Sequence, residues 1–239
     1  MQSTRRASFL VGVILLFAAG CVSVREETKP RAPIRIMAVG DSITEGAEFF
    51  SCYRPLLRDQ LTAAGYAIEF VGTRTSETAV GPLAHEGYGG RNTEFLAKVV
   101  PEHFRAHPAD IVLLHSGHNH DVAENPIPGI VAATEQLISA FRAINPRVIV
   151  LLGQVIPAGK LPKYSYLPAL NRELVALAAR LDSPTQPIKI VDQATGFDWR
   201  TDTVADHVHP NAAGAEKMAR AWFAALERVL PPPATPVAR

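Results

Sequence analysis

A serine, a histidine and an aspartate stand in this 239-residue chain where they can share one reaction. Asp206-His207-Val208-His209-Pro210-Asn211 sets an acid and an imidazole three residues apart, on a segment that reads as a turn before the last helix. At that spacing a carboxylate can hold one ring nitrogen and leave the other free to take a proton. A serine hydroxyl is a weak nucleophile at neutral pH; it needs such a base, and the base needs its orienting acid. Ser42, in Gly40-Asp41-Ser42-Ile43-Thr44-Glu45-Gly46, is the candidate nucleophile, His209 the base and Asp206 the acid. Taken alone, Asp41-Ser42 reads equally well as a turn or a helix cap. The acid and imidazole near the other end of the chain make it a catalytic candidate.

The elements that must bring these residues together follow from apolar periodicity. Ile34–Val39 is a β-rich run ended by Gly40-Asp41, and Pro55-Leu56-Leu57 with Leu61 follows at near-helical spacing. Ala67–Val71, Ile111–His115, Val148–Gly153 and Ile188–Val191 read as further strands. Ile127–Ile144, Tyr166–Leu181 and Ala212–Val229 read as helices, the last with Met218, Trp222 and Leu226 on one face. Strands alternating with helices predict an α/β fold with a mostly parallel, five-stranded sheet between helical layers. In such sheets ligands bind beyond the carboxyl ends of the strands, where Ser42 stands.

On these residues the sequence resembles the SGNH hydrolases, or GDSL-type lipases and esterases. Gly40-Asp41-Ser42-Ile43 is similar to that family's first block, with the nucleophile. Gly87-Tyr88-Gly89-Gly90 is similar to the second, with Gly90 as oxyanion-hole glycine, and Gly117-His118-Asn119-His120 resembles the third, with Asn119 as its asparagine. Asp206-His207-Val208-His209-Pro210 resembles the fifth. The blocks come in the family's order and span the domain from residue 34 to about 229. The resemblance implies a flavodoxin-like three-layer α/β/α sandwich and ester hydrolysis with no metal and no cofactor. It also implies an oxyanion hole made by the Ser42 and Gly90 backbone amides and the Asn119 side-chain amide. The second block, from His85, is similar to that of the family's carbohydrate esterases, with Tyr88 as a face for a sugar.

Two positions depart from the family's pattern. His120 replaces the acid that commonly follows the asparagine, and Arg91 stands where an aromatic is frequent; both are expected to border the cleft. Other readings of the polar residues are weaker. His115, His118, His120, His207 and His209 are dense enough to suggest zinc, but His209 has a role already and no His-Glu-X-X-His occurs. His115 is expected to point into packing and His207 into solvent. Glu45 and Glu48 suggest a paired-carboxylate glycosidase, yet read better as first-turn acids of a helix. Gly-X-Ser-X-Gly is absent, which removes the α/β-hydrolase elbow.

Composition sets the outer limits. Apolar residues make up 47% and charged residues 20%, so the chain is globular rather than disordered. Lys and Arg number 24 against 23 Asp and Glu, which offers no electrostatic footprint for nucleic acid. Only Cys21 and Cys52 occur, too few for a disulfide framework, and Cys52 reads as an unpaired, packed thiol. Arg5 and Arg6, the apolar stretch Phe9–Phe17 and Ala18-Ala19-Gly20 have the layout of an export signal, too short to span a membrane. Ala18-Ala19-Gly20-Cys21 resembles a bacterial lipobox, with Ala18 where Leu is favoured, and so marks Cys21 as a lipidation site.

The sequence therefore divides into a signal peptide (1–20), a lipid-anchored tether (21–33), the hydrolase domain (34–230) and a disordered Pro-rich tail (231–239). The expected protein is an exported cell-envelope lipoprotein, held to membrane through its anchor only, with an unanchored periplasmic or secreted protein as the alternative. It is expected to be a serine esterase acting on short acyl esters, acetyl above all, of small molecules or carbohydrates. A lysophospholipase or thioesterase on the same machinery is the alternative enzyme, and a non-catalytic surface carbohydrate-binding protein the alternative without turnover.

Overall fold

The computed structural model describes residues 32–79 and 81–233. The expected signal peptide and Cys21, with residues 234–239 of the tail, lie outside them. β1 (Ile34–Gly40) runs through the centre of the sheet, and Ile36, Met37, Ala38 and Val39 are all fully buried. Such a run, apolar on both faces, is what a strand covered by helices on two sides requires. Its side chains alternate between two cores. Met37 and Val39 pack with residues of α3 (Thr93–Ala106), α4 (Ile127–Ile144) and α5 (Leu167–Leu181). Ile36 and Ala38 face α2 (Tyr53–Ala63) and α7 (Ala212–Glu227), where Trp222 is wholly buried. The three-layer sandwich is this alternation repeated on β5 (Ile111–His115) and β6 (Ile149–Gly153).

The expected strands, with β2 (Ile68–Phe70) and β7 (Ile188–Val191), stand in the order β2-β1-β5-β6-β7, all parallel. This is the flavodoxin-like order, with its switch point between β1 and β5. The sheet itself has seven strands, not five. β3 (Arg74–Ser76) and β4 (Leu83–Gly87) form an antiparallel pair, and β4 joins β1 beside Val39 and Gly40, beyond the stretch taken by β2. Their sequences, Arg-Thr-Ser and Leu-Ala-His-Glu-Gly, have no apolar alternation to betray a strand. Helix α3 was not expected either. Its buried Leu96, Ala97, Val100 and Phe104 keep helical spacing, but Pro101, a residue that normally interrupts a helix, lies among them.

Register places the site. Gly40 lies opposite Gly87 on one side and His115 on the other. The loops carrying Ser42, Gly90 and Asn119 therefore leave the sheet from a single row at its carboxyl edge. The closing segment carrying Asp206 and His209 arrives through the short α6 (Trp199–Asp202) and is fixed by a bridge between Thr203 and Pro210.

Candidate active site

Ser42 is the first residue of α1 (Ser42–Glu45), and Asp41 caps that turn by accepting the Ile43 amide at 3.0 Å. The turn must sit directly on the sheet edge. A Cβ on Gly40 would lie 2.3 Å from the His115 carbonyl oxygen, and one on Gly87 only 2.4 Å from the Glu45 nitrogen. Both are far inside van der Waals contact, so these positions must be glycine for the nucleophile turn to settle.

Asp206 organises its own turn. One carboxylate oxygen accepts the amides of Val208 at 2.9 Å and His209 at 3.0 Å, and the other meets His209 Nδ1 at 2.5 Å. With Nδ1–H donated to Asp206, Nε2 is the acceptor, and it lies 2.8 Å from Ser42 Oγ. The structure thus joins Ser42, His209 and Asp206 in one hydrogen-bonded line. Burial pushes the Asp206 carboxyl up, but the His209 ring and the two turn amides outweigh it and hold it below the usual carboxylate range. It therefore stays ionised beside the imidazole. Phe50 stacks on the outer face of His209, ring centroids 4.2 Å apart.

Gly90 and Asn119 stand on the loops after β4 and β5, and both have left-handed backbones, φ 71° and 67°. Asn119 Nδ2 donates to the Arg91 carbonyl at 2.9 Å, which ties the two loops together. A Cβ on Gly89 would stand 3.8 Å from Ser42 Cβ, so the Gly89-Gly90 turn is immediately beside the nucleophile. Glu45 holds that turn down. Its carboxylate accepts the Gly89 amide at 2.5 Å and pairs with Arg74, whose guanidinium lies over the Tyr88 ring.

Several polar residues have other duties than those expected. Glu45 ends its short helix instead of opening one, and Glu48 is exposed in the following turn. Tyr88 offers no free face, because Arg74 covers it and its hydroxyl is taken by Glu86. His85 and Glu86 are buried against partners of their own. His120 does not border the cleft; it is a buried clamp between Glu94 at 2.9 Å and Glu124 at 2.7 Å. Arg91 is exposed, its guanidinium over Phe95. His115 is buried as expected, accepting the Ile156 amide, and His207 is exposed. His118 is buried 3.7 Å from Asp41, the capping acid beneath Ser42. Cys52 is a free thiol against the Thr44 carbonyl. Among the described residues, no three His, Cys, Asp or Glu side chains converge as metal ligands do, and no helix is long and apolar enough to cross a membrane. Glu45, Arg74 and Phe50 are the supporting residues that sequence reasoning missed. A glutamate three residues after the serine had no visible partner, since Arg74 lies on an unrecognised strand.

A cavity of about 590 Å³ opens by Gln154, Val155, Leu167, Asn171 and Thr195, and its wall includes none of Ser42, Asp206 and His209. The model of the GDSL-like lipase/acylhydrolase family matches residues 38–217, a span that holds every one of the site residues above. The chain belongs to that family. It is 25% identical to a carbohydrate esterase family 3 protein from Talaromyces cellulolyticus, covering 82% of this chain and 97% of that one at a TM-score of 0.73. The same identity, coverage and TM-score hold for an acetyl esterase mutant solved with an acetate ion. A multidomain esterase from Ruminococcus flavefaciens is 27% identical over 231 residues, 82% of this chain but only 29% of that protein's length. This GDSL-family domain thus corresponds to less than a third of that relative.

The buried histidines give the fold an acid-sensitive limb. Burial lowers His115 to about 4, and burial with nearby Arg54 and Arg74 lowers His85 to about 3. Both are neutral in the folded protein, whereas the unfolded chain protonates them near 6.5 and so binds more protons. Stability is therefore full above pH 6.5 and falls as pH drops from there towards 4, with ~3 kcal/mol at stake for His115. Thermal denaturation across pH 4–8 should show this decline, and His115→Gln should flatten it.

Proposed function

We propose that this chain is a serine esterase that removes short acyl groups, acetyl above all, from carbohydrate esters through an acyl-enzyme. The observation that carries the reading is the hydrogen-bonded line from Asp206 through His209 to Ser42 Oγ. Membership of the GDSL-like lipase/acylhydrolase family supports the carboxylic ester hydrolase class. The similarity to a family 3 carbohydrate esterase and to an acetyl esterase supports the substrate class.

In this mechanism Ser42 Oγ attacks the ester carbonyl carbon while His209 Nε2 takes its proton. The imidazolium that forms is stabilised by Asp206, which stays ionised. The carbonyl oxygen becomes an oxyanion, met by the Ser42 and Gly90 amides and by Asn119 Nδ2. Donors fixed in advance are worth most at this point, and loss of one costs ~10²–10³ in rate. As the intermediate collapses, the C–O bond to the alcohol breaks and His209 returns its proton to the leaving oxygen. Water then attacks the acyl-serine with His209 again as base, releasing the acid and restoring the Ser42 hydroxyl. Asn119 spends one amide proton on Arg91, which orients the group and leaves its second N–H for the oxyanion.

We further propose export and lipid attachment at Cys21, on the basic, apolar and small-residue order of residues 5–21.

Ser42→Ala should abolish turnover and labelling by a fluorophosphonate probe while the fold survives, because one hydroxyl is lost from a turn. His209→Ala should do nearly the same, and the double variant should lose little more, since triad members act as a unit. Labelling of neither wild type nor variant would favour the non-catalytic carbohydrate binder. Specificity constants should fall from 4-nitrophenyl acetate through butyrate to octanoate, with acetate released from acetylated xylan; a preference for octanoate and no release would transfer the assignment to a lysophospholipase or thioesterase. Wild-type protein should fractionate with membranes, and Cys21→Ser should free it or stall its processing; a soluble exported wild type cleaved elsewhere would refute the anchor.

A further inference from the structure

Directly after the nucleophile helix the chain makes a sharp excursion that the triad itself does not require. Gly46, at φ 78° and with Cys52 Cβ 2.9 Å from where its own Cβ would be, reverses the backbone. Residues 47–50 close into a turn through the bridge between Ala47 and Phe50. The Ser51 amide then donates to the Pro210 carbonyl at 2.9 Å, which ties this turn to the segment carrying the base. Phe50 covers the ring of His209 and is itself buried. Phe49 does the opposite. It is 71% exposed, the most exposed large hydrophobic side chain among the described residues, and its ring stands edge-on to His209 with centroids 6.2 Å apart. One exposed apolar side chain on a protein surface needs no explanation. This one is pinned beside the general base by a turn anchored at both ends.

Its side of the site decides what it meets. In acyl transfer the oxyanion faces its donors, here on the Gly90 and Asn119 loops, whereas the leaving oxygen must face His209 Nε2 to receive a proton. A ring placed against His209 therefore flanks the alcohol half of the ester rather than its acyl half. The geometry points to Phe49 as the platform on which that alcohol rests, and to a pyranose ring as the alcohol. A flat, rigid, solvent-facing ring suits a group that is apolar on one face, through its C–H bonds, and hydroxylated around its edge. Stacking covers the apolar face and leaves the hydroxyls in water. The inference rests on the esterase reading above and extends it by assigning a specificity-determining residue that takes no part in proton transfer.

Two substrate series separate the halves of the ester. Acetylated xylo-oligosaccharide against ethyl acetate varies the alcohol at constant acyl group, and 4-nitrophenyl acetate against butyrate varies the acyl group at constant alcohol. In Phe49→Ala the first ratio of kcat/KM should fall about three- to tenfold, the range expected for loss of one aromatic contact. The second ratio should keep its wild-type value, and Phe49→Trp should restore the first. The alcohol departs before the acyl-enzyme is hydrolysed, so the deacylation rate constant should be the same for wild type and Phe49→Ala. Equal losses on sugar acetate and ethyl acetate would show that Phe49 merely supports His209, and a changed acetate-to-butyrate ratio would put it on the acyl side; either overturns the assignment. A folded wild type that hydrolyses none of these esters would instead remove the esterase reading and this inference with it.

Discussion

Everything at this site depends on how closely three strands can end together. Gly87, Gly40 and His115 form one row, and the central residue carries no side chain. The Gly40 α-carbon is so near the His115 carbonyl and the Thr44 hydroxyl that any β-carbon would displace one of them. That approach lets the Asp41-Ser42 turn fold directly onto the sheet, and lets the Tyr88 amide reach the Gly40 carbonyl at 2.9 Å. Loops from β1, β4 and β5 are thus held to one another by backbone geometry before any functional side chain is considered.

Beneath this row lies a polar layer unusual for a protein interior. Asp41, His85, Glu86, His115 and His118 are almost wholly inaccessible. Burial raises the Asp41 carboxyl, but His118, His115 and the Ile43 amide more than compensate, so it remains below its ordinary value and charged under the nucleophile. Such groups are costly unless satisfied, and here Asp41 Oδ2, His115 Nδ1 and both His118 ring nitrogens are buried without a hydrogen bond among the described residues. Glu86 is held by the Thr73 amide, the Tyr88 hydroxyl and His103, which locks β4 to α3.

The catalytic candidates were legible because their logic is local in type and simple in order. Asp206 and His209 are three residues apart, and Ser42 follows an unmistakably buried strand. The central strands β1, β5 and β6 were readable because both faces of each are apolar, and the outer β2 and β7 because Ile, Val and Phe flank a single exposed Glu69 or Lys189. The hairpin of β3 and β4 was not, because apart from Leu83 its buried side chains, His85 and Glu86, are polar, and Ser76 is held by Arg54, so the run mimics a loop. The same blind spot misplaced His120 at the cleft. A polar residue in a sequence declares no partner, and only the fold shows that His120 spends both ring nitrogens on Glu94 and Glu124. Tyr88 was mistaken for a sugar platform because nothing in the sequence places Arg74 over it.

The bonds of the acid and base are unequal in reach. Asp206 makes all its contacts to His209 and Val208 within a four-residue turn, so that half of the machinery assembles wherever the turn forms. His209 reaches Ser42, by contrast, across 167 residues of chain and by a single bond. The turn is closed on itself by the Thr203–Pro210 bridge and attached to the rest of the domain by the Ser51 amide on the Pro210 carbonyl, the Gly159 amide on the His207 carbonyl and the burial of Val208 in the core. Peeling this turn away would withdraw Val208 from the core and separate His209 from Ser42, although none of the sheet's strand pairings runs through the turn. The Ser42 hydroxyl therefore meets its imidazole only when the C-terminal segment has docked, so the site is complete only when both ends of the domain are folded together.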